Sequence, residues 1–305
     1  MRRVDRFLTA KIAAGRSERT IGFYQRELAA AAQWMKDNGH DLDSAPAWAI
    51  EDYLAAERAR GQSPASVSAR YRALSAYYRW IHARERRTGE PEIAQVEKPD
   101  AGHREPRRTT PDQVEQLLKS IESDTWTGCR DRSLIRILFW SGLRVGEAVG
   151  LRVTDVDHRA RRLHIKKGKG DKSRSVPYHS KVTPDLLAYL FSRPAPRAEE
   201  LWIGNDGAGG ATPIGLTDNG IRQMLRRRCM AAGMKVINPH ALRHGFAMTM
   251  LNEGGATMDA VAVFLGHSSP EITRQFYAEY VDEELTAIYA SAVNRSEQRR
   301  QPGND

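Results

Sequence analysis

Residues 162–178 read Arg162-Leu163-His164-Ile165-Lys166-Lys167-Gly168-Lys169-Gly170-Asp171-Lys172-Ser173-Arg174-Ser175-Val176-Pro177-Tyr178. Polar and apolar side chains alternate through 162–167 and again through 174–178, the period of half-buried strands. Between them Gly168-Lys169-Gly170-Asp171-Lys172 has the composition of a hairpin loop. Val153 to Val156 is expected to add a third strand. The surrounding sequence is helical in pattern, so the fold class is mainly α with a small antiparallel β-sheet in the second domain.

Working upstream, Leu134, Ile135, Leu138 and Phe139 mark a buried helix that breaks at Ser141-Gly142. Thr110-Pro111 opens a helix carrying Val114, Leu117, Leu118 and Ile121, and the second domain is expected to start there. Before it, residues 97–109 are rich in proline and charge and lack apolar periodicity, which reads as a basic linker. Residues 1–96 read as a helical domain. Ser17 precedes Ile21, Tyr24 and Leu28 at helical spacing, and Asn38-Gly39 ends that run. Asp43-Ser44-Ala45-Pro46 opens a second helix with Ile50, Tyr53 and Leu54, which Gly61 stops.

Ser63-Pro64 then starts a helix with an apolar stripe of Val67, Tyr71, Leu74, Tyr78 and Ile81. Ser68, Arg72, Ser75 and Arg79 share another face. That stripe reads either as a solvated surface or as a set of phosphate and base-edge contacts in a DNA groove. Downstream of the sheet, helical pattern resumes at Thr217 and runs to about Val293. Residues 294–305 read as a polar tail, so the catalytic domain is expected over 110–293.

Composition narrows the partner. The 305-residue chain suits two domains of ordinary size, and its net charge of +9 with an isoelectric point near 9.7 points to a polyanion. No apolar run is long enough to cross a bilayer, and no helix has the basic and bulky apolar faces that lie in a lipid interface. The first residues lack the apolar core of a secretory signal, so a cytoplasmic, nucleoid-associated protein is expected, with double-stranded DNA as partner and no membrane. Cys129 and Cys229 stand far apart without metal-ligand spacing, so neither a disulfide nor a zinc site is indicated.

Several polar residues stand where a phosphodiester would be handled. Arg144 follows the glycine turn, with Glu147 one helical turn later to orient it. His240 and Arg243 share a face at a helix start after Pro239, where the dipole favours an anion. His244 lies near the same face, and periodicity leaves open which histidine faces a ligand. Gly266 ends the helix that carries Met258, Val261 and Leu265, so His267 emerges at a helix terminus. Ser268 and Glu271 resemble a capping box for the next helix, near whose end lies Tyr277. Taken singly each has an ordinary reading: Arg144 and Glu147 as a surface ion pair, Lys169 as a turn lysine, and Tyr277, like Tyr280 and Tyr289, as core. Clustered carboxylates for a metal are not found near these motifs, and no cofactor is expected.

Taken in order, Ser141-Gly142-Leu143-Arg144-Val145-Gly146-Glu147, Gly168-Lys169-Gly170-Asp171-Lys172, Pro239-His240-Ala241-Leu242-Arg243-His244, Leu265-Gly266-His267-Ser268-Ser269 and Tyr277 resemble the motif series of the tyrosine recombinase, or phage integrase, family. The first domain resembles that family's helical core-binding domain and the second its mixed α/β catalytic domain. The resemblance implies that Tyr277 is the nucleophile, that Arg144 and Arg243 clamp the scissile phosphate, and that His240 and His267 handle protons and hydrogen bonds. Lys169 would protonate the leaving 5′-oxygen and Glu147 would support Arg144. It further implies a 3′-phosphotyrosyl intermediate, a Holliday junction, a homo-tetramer on two DNA sites, and in some members an accessory protein. Glu283 to Val293, with Leu285, Ile288 and Tyr289, would be the segment exchanged between protomers. The absence of an N-terminal arm-binding domain points to a simple Xer-like or mobile-element member. Two other readings compete: a type IB topoisomerase-like relaxing enzyme, and a non-catalytic DNA-binding protein on the same scaffold.

Overall fold

Short polar side chains mark where the helices begin. Each accepts a hydrogen bond from a backbone N–H that the helix itself leaves unpaired. Ser17, Ser63, Thr125, Thr217, Asn238 and Thr257 all do so, three residues back from their donors. Thr110 and Gln113 exchange such bonds in both directions, closing a capping box at 3.3 and 3.1 Å. The computed structural model describes residues 2–86, 88–102, 108–166, 173–194, 198–206 and 210–266.

The chain divides into two units, Met1–Glu105 and Pro106–Asp305. The first unit is helical: α1 (Arg2–Ala13), α2 (Glu18–Asp37), α3 (Ala47–Ala59), α4 (Pro64–Glu85) and a short 3-10 turn at Glu92–Ala94. Its core gathers Phe7, Leu28, Met35, Ile50, Tyr53, Leu74, Tyr77 and Tyr78. Phe7 meets the rings of Tyr24, Tyr77 and Trp80 edge to face, which fastens α1 to α2 and α4. The sequence reading does not include α1, although Val4, Phe7 and Leu8 recur at helical spacing and pack into this core.

In the second unit α5 (Pro111–Lys119), α6 (Trp126–Trp140) and α7 (Val145–Val149) precede the sheet. The expected strand at 153–156 is mostly a 3-10 turn over Val153–Asp155, in which the Asp155 carboxylate accepts from the Arg152 backbone N–H. Only Val156–Asp157 pairs, as β1. It joins β2 (Arg162–Ile165) and β3 (Arg174–Pro177) in an antiparallel sheet ordered β1-β2-β3. Leu163 lies opposite Val176 and Ile165 opposite Arg174. Three elements the pattern had not shown follow: α8 (Val182–Ser192) and a separate hairpin of β4 (Ile203–Asn205) and β5 (Ala211–Gly215). The described part closes with α9 (Asp218–Ala231), α10 (Pro239–Asn252) and α11 (Met258–Leu265).

Helix α6 is the axis of this unit. Ten of its fifteen residues are buried, so it has no solvated face to spare, and it packs along α8 and against α5 and α10. Leu134, Ile135, Ile137, Leu138 and Phe139 are fully enclosed, each worth roughly 1.5–3 kcal/mol of burial. Burial of a charge on such a helix requires compensation. Asp131 provides it: its carboxylate accepts from Arg130 at 2.8 and 2.9 Å and from Arg228 of α9 at 2.8 Å. Arg130 also donates to the Ile203 carbonyl of β4 at 2.7 Å. One carboxylate thus ties α6 to α9, and through Arg130 to the second hairpin.

Asp131→Ala leaves the buried Arg130 uncompensated and should cost about 3–5 kcal/mol. Denaturant unfolding followed by far-ultraviolet circular dichroism should show the transition of the second unit moved sharply down, with that of the first unit unchanged.

Candidate active site

The end of α6 sets the site. Ser141 turns its hydroxyl back to the Ile137 carbonyl at 2.6 Å and closes the helix. Gly142 follows at φ +62°, and a Cβ there would stand 2.4 Å from the Phe246 ring of α10 and 3.0 Å from Leu265 of α11. Both the left-handed backbone and the close approach demand glycine. Leu143 is then buried, and Arg144 begins α7 in extended conformation.

Glu147 reaches back one turn and accepts from the Arg144 backbone N–H at 2.8 Å, which fixes the backbone beneath the arginine. The Arg144 guanidinium donates to Glu147 at 3.2 Å, to the Leu265 carbonyl at 3.3 Å and to the Gly266 carbonyl at 3.1 Å. Arg243, a turn into α10, donates to the Gly142 carbonyl at 2.6 Å and to the same Leu265 carbonyl at 2.8 Å. Two arginines ninety-nine positions apart in sequence therefore share one acceptor. The acceptor is the C-terminus of α11, where unpaired carbonyls and the negative end of the dipole attract cations. Gly266 caps that helix in the left-handed conformation at φ +62°.

Exposure separates the two arginines: 39% of the Arg144 side chain faces solvent, whereas Arg243 is 6% exposed. It also separates the two histidines. His240 is exposed on the first turn of α10, one turn before Arg243, while His244 is buried at 3%. His240 is thus the histidine available to a ligand. Partial desolvation, then the charges of Arg243 and Arg222, hold its imidazole below the usual histidine pKa. Burial drives His244 further down, to about 4.

Glu147 carries a second arginine that the sequence reading passed over. Arg174 of β3 donates to both carboxylate oxygens, at 2.8 and 2.9 Å. The register contained the signal: Arg174 faces Ile165 across the sheet and lies two residues from buried Val176, so it occupies an inward position where a cation needs a partner. Burial alone would raise the Glu147 pKa. The hydrogen bonds from Arg174 and the Arg144 backbone, with both arginine charges, outweigh it and hold the carboxyl below its usual range.

Arg144, Glu147 and Arg243 therefore come together, with His240 beside Arg243. Lys169, His267, Tyr277, the 168–172 loop and the 283–293 segment lie outside the described residues. On α4, Arg72 and Arg79 are exposed and Ser75 is half-buried, accepting from Arg79 Nε at 3.3 Å. Ser68 is a correction to the expected stripe: at 6% exposure it packs inward beside Val67 and does not face solvent.

Residues 107–284 match the model of the phage integrase family, and residues 4–85 match its N-terminal SAM-like domain. This chain belongs to the phage integrase family. Its curated relatives are tyrosine recombinases. It is 34% identical over 277 residues to tyrosine recombinase XerD of Caulobacter vibrioides, covering 88% of each chain. It is 32% identical to tyrosine recombinase XerD of Listeria innocua, covering 94% of this chain and 96% of the relative. Among solved structures, XerH site-specific recombinase bound to a palindromic difH substrate superposes with TM-score 0.70 at 23% identity, over 92% of this chain and 82% of the other. A lambda integrase tetramer bound to a Holliday junction gives 0.69 at 19% identity, over 90% and 76%. Both share the fold of this tyrosine recombinase: a helical N-terminal domain and a catalytic domain with small antiparallel sheets.

The histidine shift can be read directly. In a proton NMR titration of the free protein, the ring resonance lost in His240→Gln should titrate with a midpoint below 6.5. Adding DNA should move that midpoint upward, because a phosphate beside the ring favours the imidazolium.

Proposed function

We propose that this chain is a site-specific recombinase that cleaves and rejoins duplex DNA through a 3′-phosphotyrosyl intermediate and a Holliday junction. The observation that carries this reading is the convergence of Arg144 and Arg243 on the end of α11, with Glu147 aligning the first. Two guanidiniums on rigid elements meet the need of a phosphoryl group for fixed, permanently charged donors on its non-bridging oxygens.

In this reading the Tyr277 phenol attacks phosphorus, the bond to the 5′-oxygen breaks, and Lys169 gives that oxygen its proton. The phenol's own proton passes to a neighbouring base, with His240 and His267 in that role. A phenol with an ordinary pKa of about 10 benefits from the cationic surroundings that Arg144 and Arg243 provide. The covalent link conserves the phosphodiester energy, so a second strand's 5′-hydroxyl reseals the DNA and regenerates tyrosine. No external energy source is needed.

We assign DNA binding by the helical domain to residues 1–96, a linker to 97–109, catalysis to 110–293 and a tail to 294–305. The working assembly is a homo-tetramer on two DNA sites in the cytoplasm. The lambda integrase tetramer bound to a Holliday junction, which shares the fold, supports this. Among the described residues no helix is long and apolar enough to cross a membrane. An accessory protein is compatible with this arrangement, and the exposed Arg72 and Arg79 of α4 are assigned to DNA phosphates.

Two experiments test the proposal. Incubated with nicked duplexes carrying a randomised core, the protein should form a covalent adduct on denaturing electrophoresis, and the trapped DNA reports the preferred site. Tyr277→Phe should abolish the adduct, whereas Arg144→Ala and Arg243→Ala should slow its formation by about 10²–10³-fold or more. An adduct that survives Tyr277→Phe and vanishes in Tyr280→Phe would move the nucleophile. Separately, Arg72→Ala and Arg79→Ala should each weaken binding and lower the log–log salt slope by about 1, while Ser68→Ala leaves both unchanged.

A further inference from the structure

We propose that Arg174 is a positioning residue for DNA cleavage: by occupying Glu147, it leaves the charge and donors of Arg144 directed at the scissile phosphate. The inference rests on the recombinase reading above and concerns a residue that reading does not use.

The argument begins with the charge balance. Glu147 is a single carboxylate, its side chain only 7% exposed, with four donors on its two oxygens. Arg174 supplies two of them in a parallel fork, the strongest geometry available to an arginine and a carboxylate. The Arg144 backbone supplies the third, and one N–H of the Arg144 guanidinium supplies the fourth at the longest distance of the set, 3.2 Å. With Arg174 in place the trio carries one net positive charge. Without it, Glu147 and Arg144 cancel.

Geometry follows the same logic. A buried carboxylate deprived of Arg174 would take a bidentate hold on the nearest remaining guanidinium, which is Arg144. That hold would draw Arg144 away from the Leu265 and Gly266 carbonyls, where it now stands beside Arg243. Arg174 also touches the far side of this arrangement. A Cβ on Gly266 would lie 2.6 Å from the Arg174 guanidinium carbon, so the guanidinium rests against bare backbone at the end of α11. Strand β3, α7 and the α11 terminus are thereby held around one carboxylate. Arg174 acts on the phosphate through Glu147 and Arg144.

The test uses the full chain and the nicked duplex recovered above, with single-turnover adduct formation, DNA affinity and thermal melting measured on each variant. Arg174→Met should slow adduct formation about 100-fold, the scale of a misplaced reacting group, with affinity within about 2-fold of the parent. Arg174→Lys keeps the charge without the fork and should recover part of that rate at the parent's melting temperature. In an Arg144→Ala background, Arg174→Met should add no more than about a 2-fold loss, because its route to the phosphate is already gone. Multiplying losses in the double variant would overturn the proposal, as would a fall in rate that follows melting temperature in both Arg174 variants. Equal cleavage by parent and Arg174→Met would also overturn it while leaving the recombinase reading intact. A parent that forms no adduct on any nicked duplex would instead count against that reading.

Discussion

The carbonyl end of α11 is the fixed point of the catalytic unit. Guanidiniums repel one another, and holding two of them together needs negative charge that does not itself consume them. Helix termini supply this through unpaired carbonyls, at lower cost than a carboxylate and without the risk of neutralising the pair. Arg144 and Arg243 meet at the Leu265 carbonyl, and the packing is arranged so that α6, α10 and α11 reach it. Two glycines make that approach feasible. Gly142 lets the α6 turn lie against Phe246 and Leu265, and Gly245 lets α10 pass where a Cβ would stand 2.0 Å from the Thr109 carbonyl.

Glu147 solves a different problem. A carboxylate caps α7 and aligns the Arg144 backbone, yet next to the Arg144 guanidinium it is a competitor for that cation. The Coulomb term between unit charges at about 4 Å is substantial at the effective dielectric of a protein surface, several kcal/mol before solvent relaxation. Arg174 offsets it. The depressed Glu147 pKa means the carboxyl stays ionised well below neutral pH, so this capping contributes above its unfolded pKa and is lost only as acid protonates it. The lowered His240 pKa reduces the charge its imidazole adds to the cluster relative to an ordinary histidine.

Much of this was legible in the sequence, and the parts that were not share a cause. Ser63-Pro64, Thr110-Pro111, Asn238-Pro239 and Thr257 announce helix starts because capping is local chemistry. Arg144, His240 and Arg243 stood out only in company: singly each had an ordinary reading, and the motif series that resembles the family made them candidates for the phosphate. Helix α1 escaped, its stripe of Val4, Phe7 and Leu8 being short, as did the 3-10 turn at 153–155, whose valine pattern imitates a strand. The inward position of Ser68 also escaped notice, because a serine on a helical wheel carries no sign of which neighbours cover it. Arg174 is the instructive case: alternation placed it inward, but its partner Glu147 lies on α7, 27 positions upstream, a contact that periodicity cannot supply.

The two arginines at Leu265 are not equivalent. Arg144 keeps 39% of its side chain in solvent, so it can reach outward to a ligand. Arg243 is nearly enclosed and spends two N–H groups on carbonyls in different directions, Gly142 at 2.6 Å and Leu265 at 2.8 Å. Its bond to Gly142 fixes the turn from which Arg144 projects. Arg243 therefore holds the base of the other arginine. A lysine could not replace it, because one ammonium at the end of a flexible stem cannot span two carbonyls with the rigid fork this geometry requires. The more deeply buried of the two cations is thus the one on which the placement of both depends.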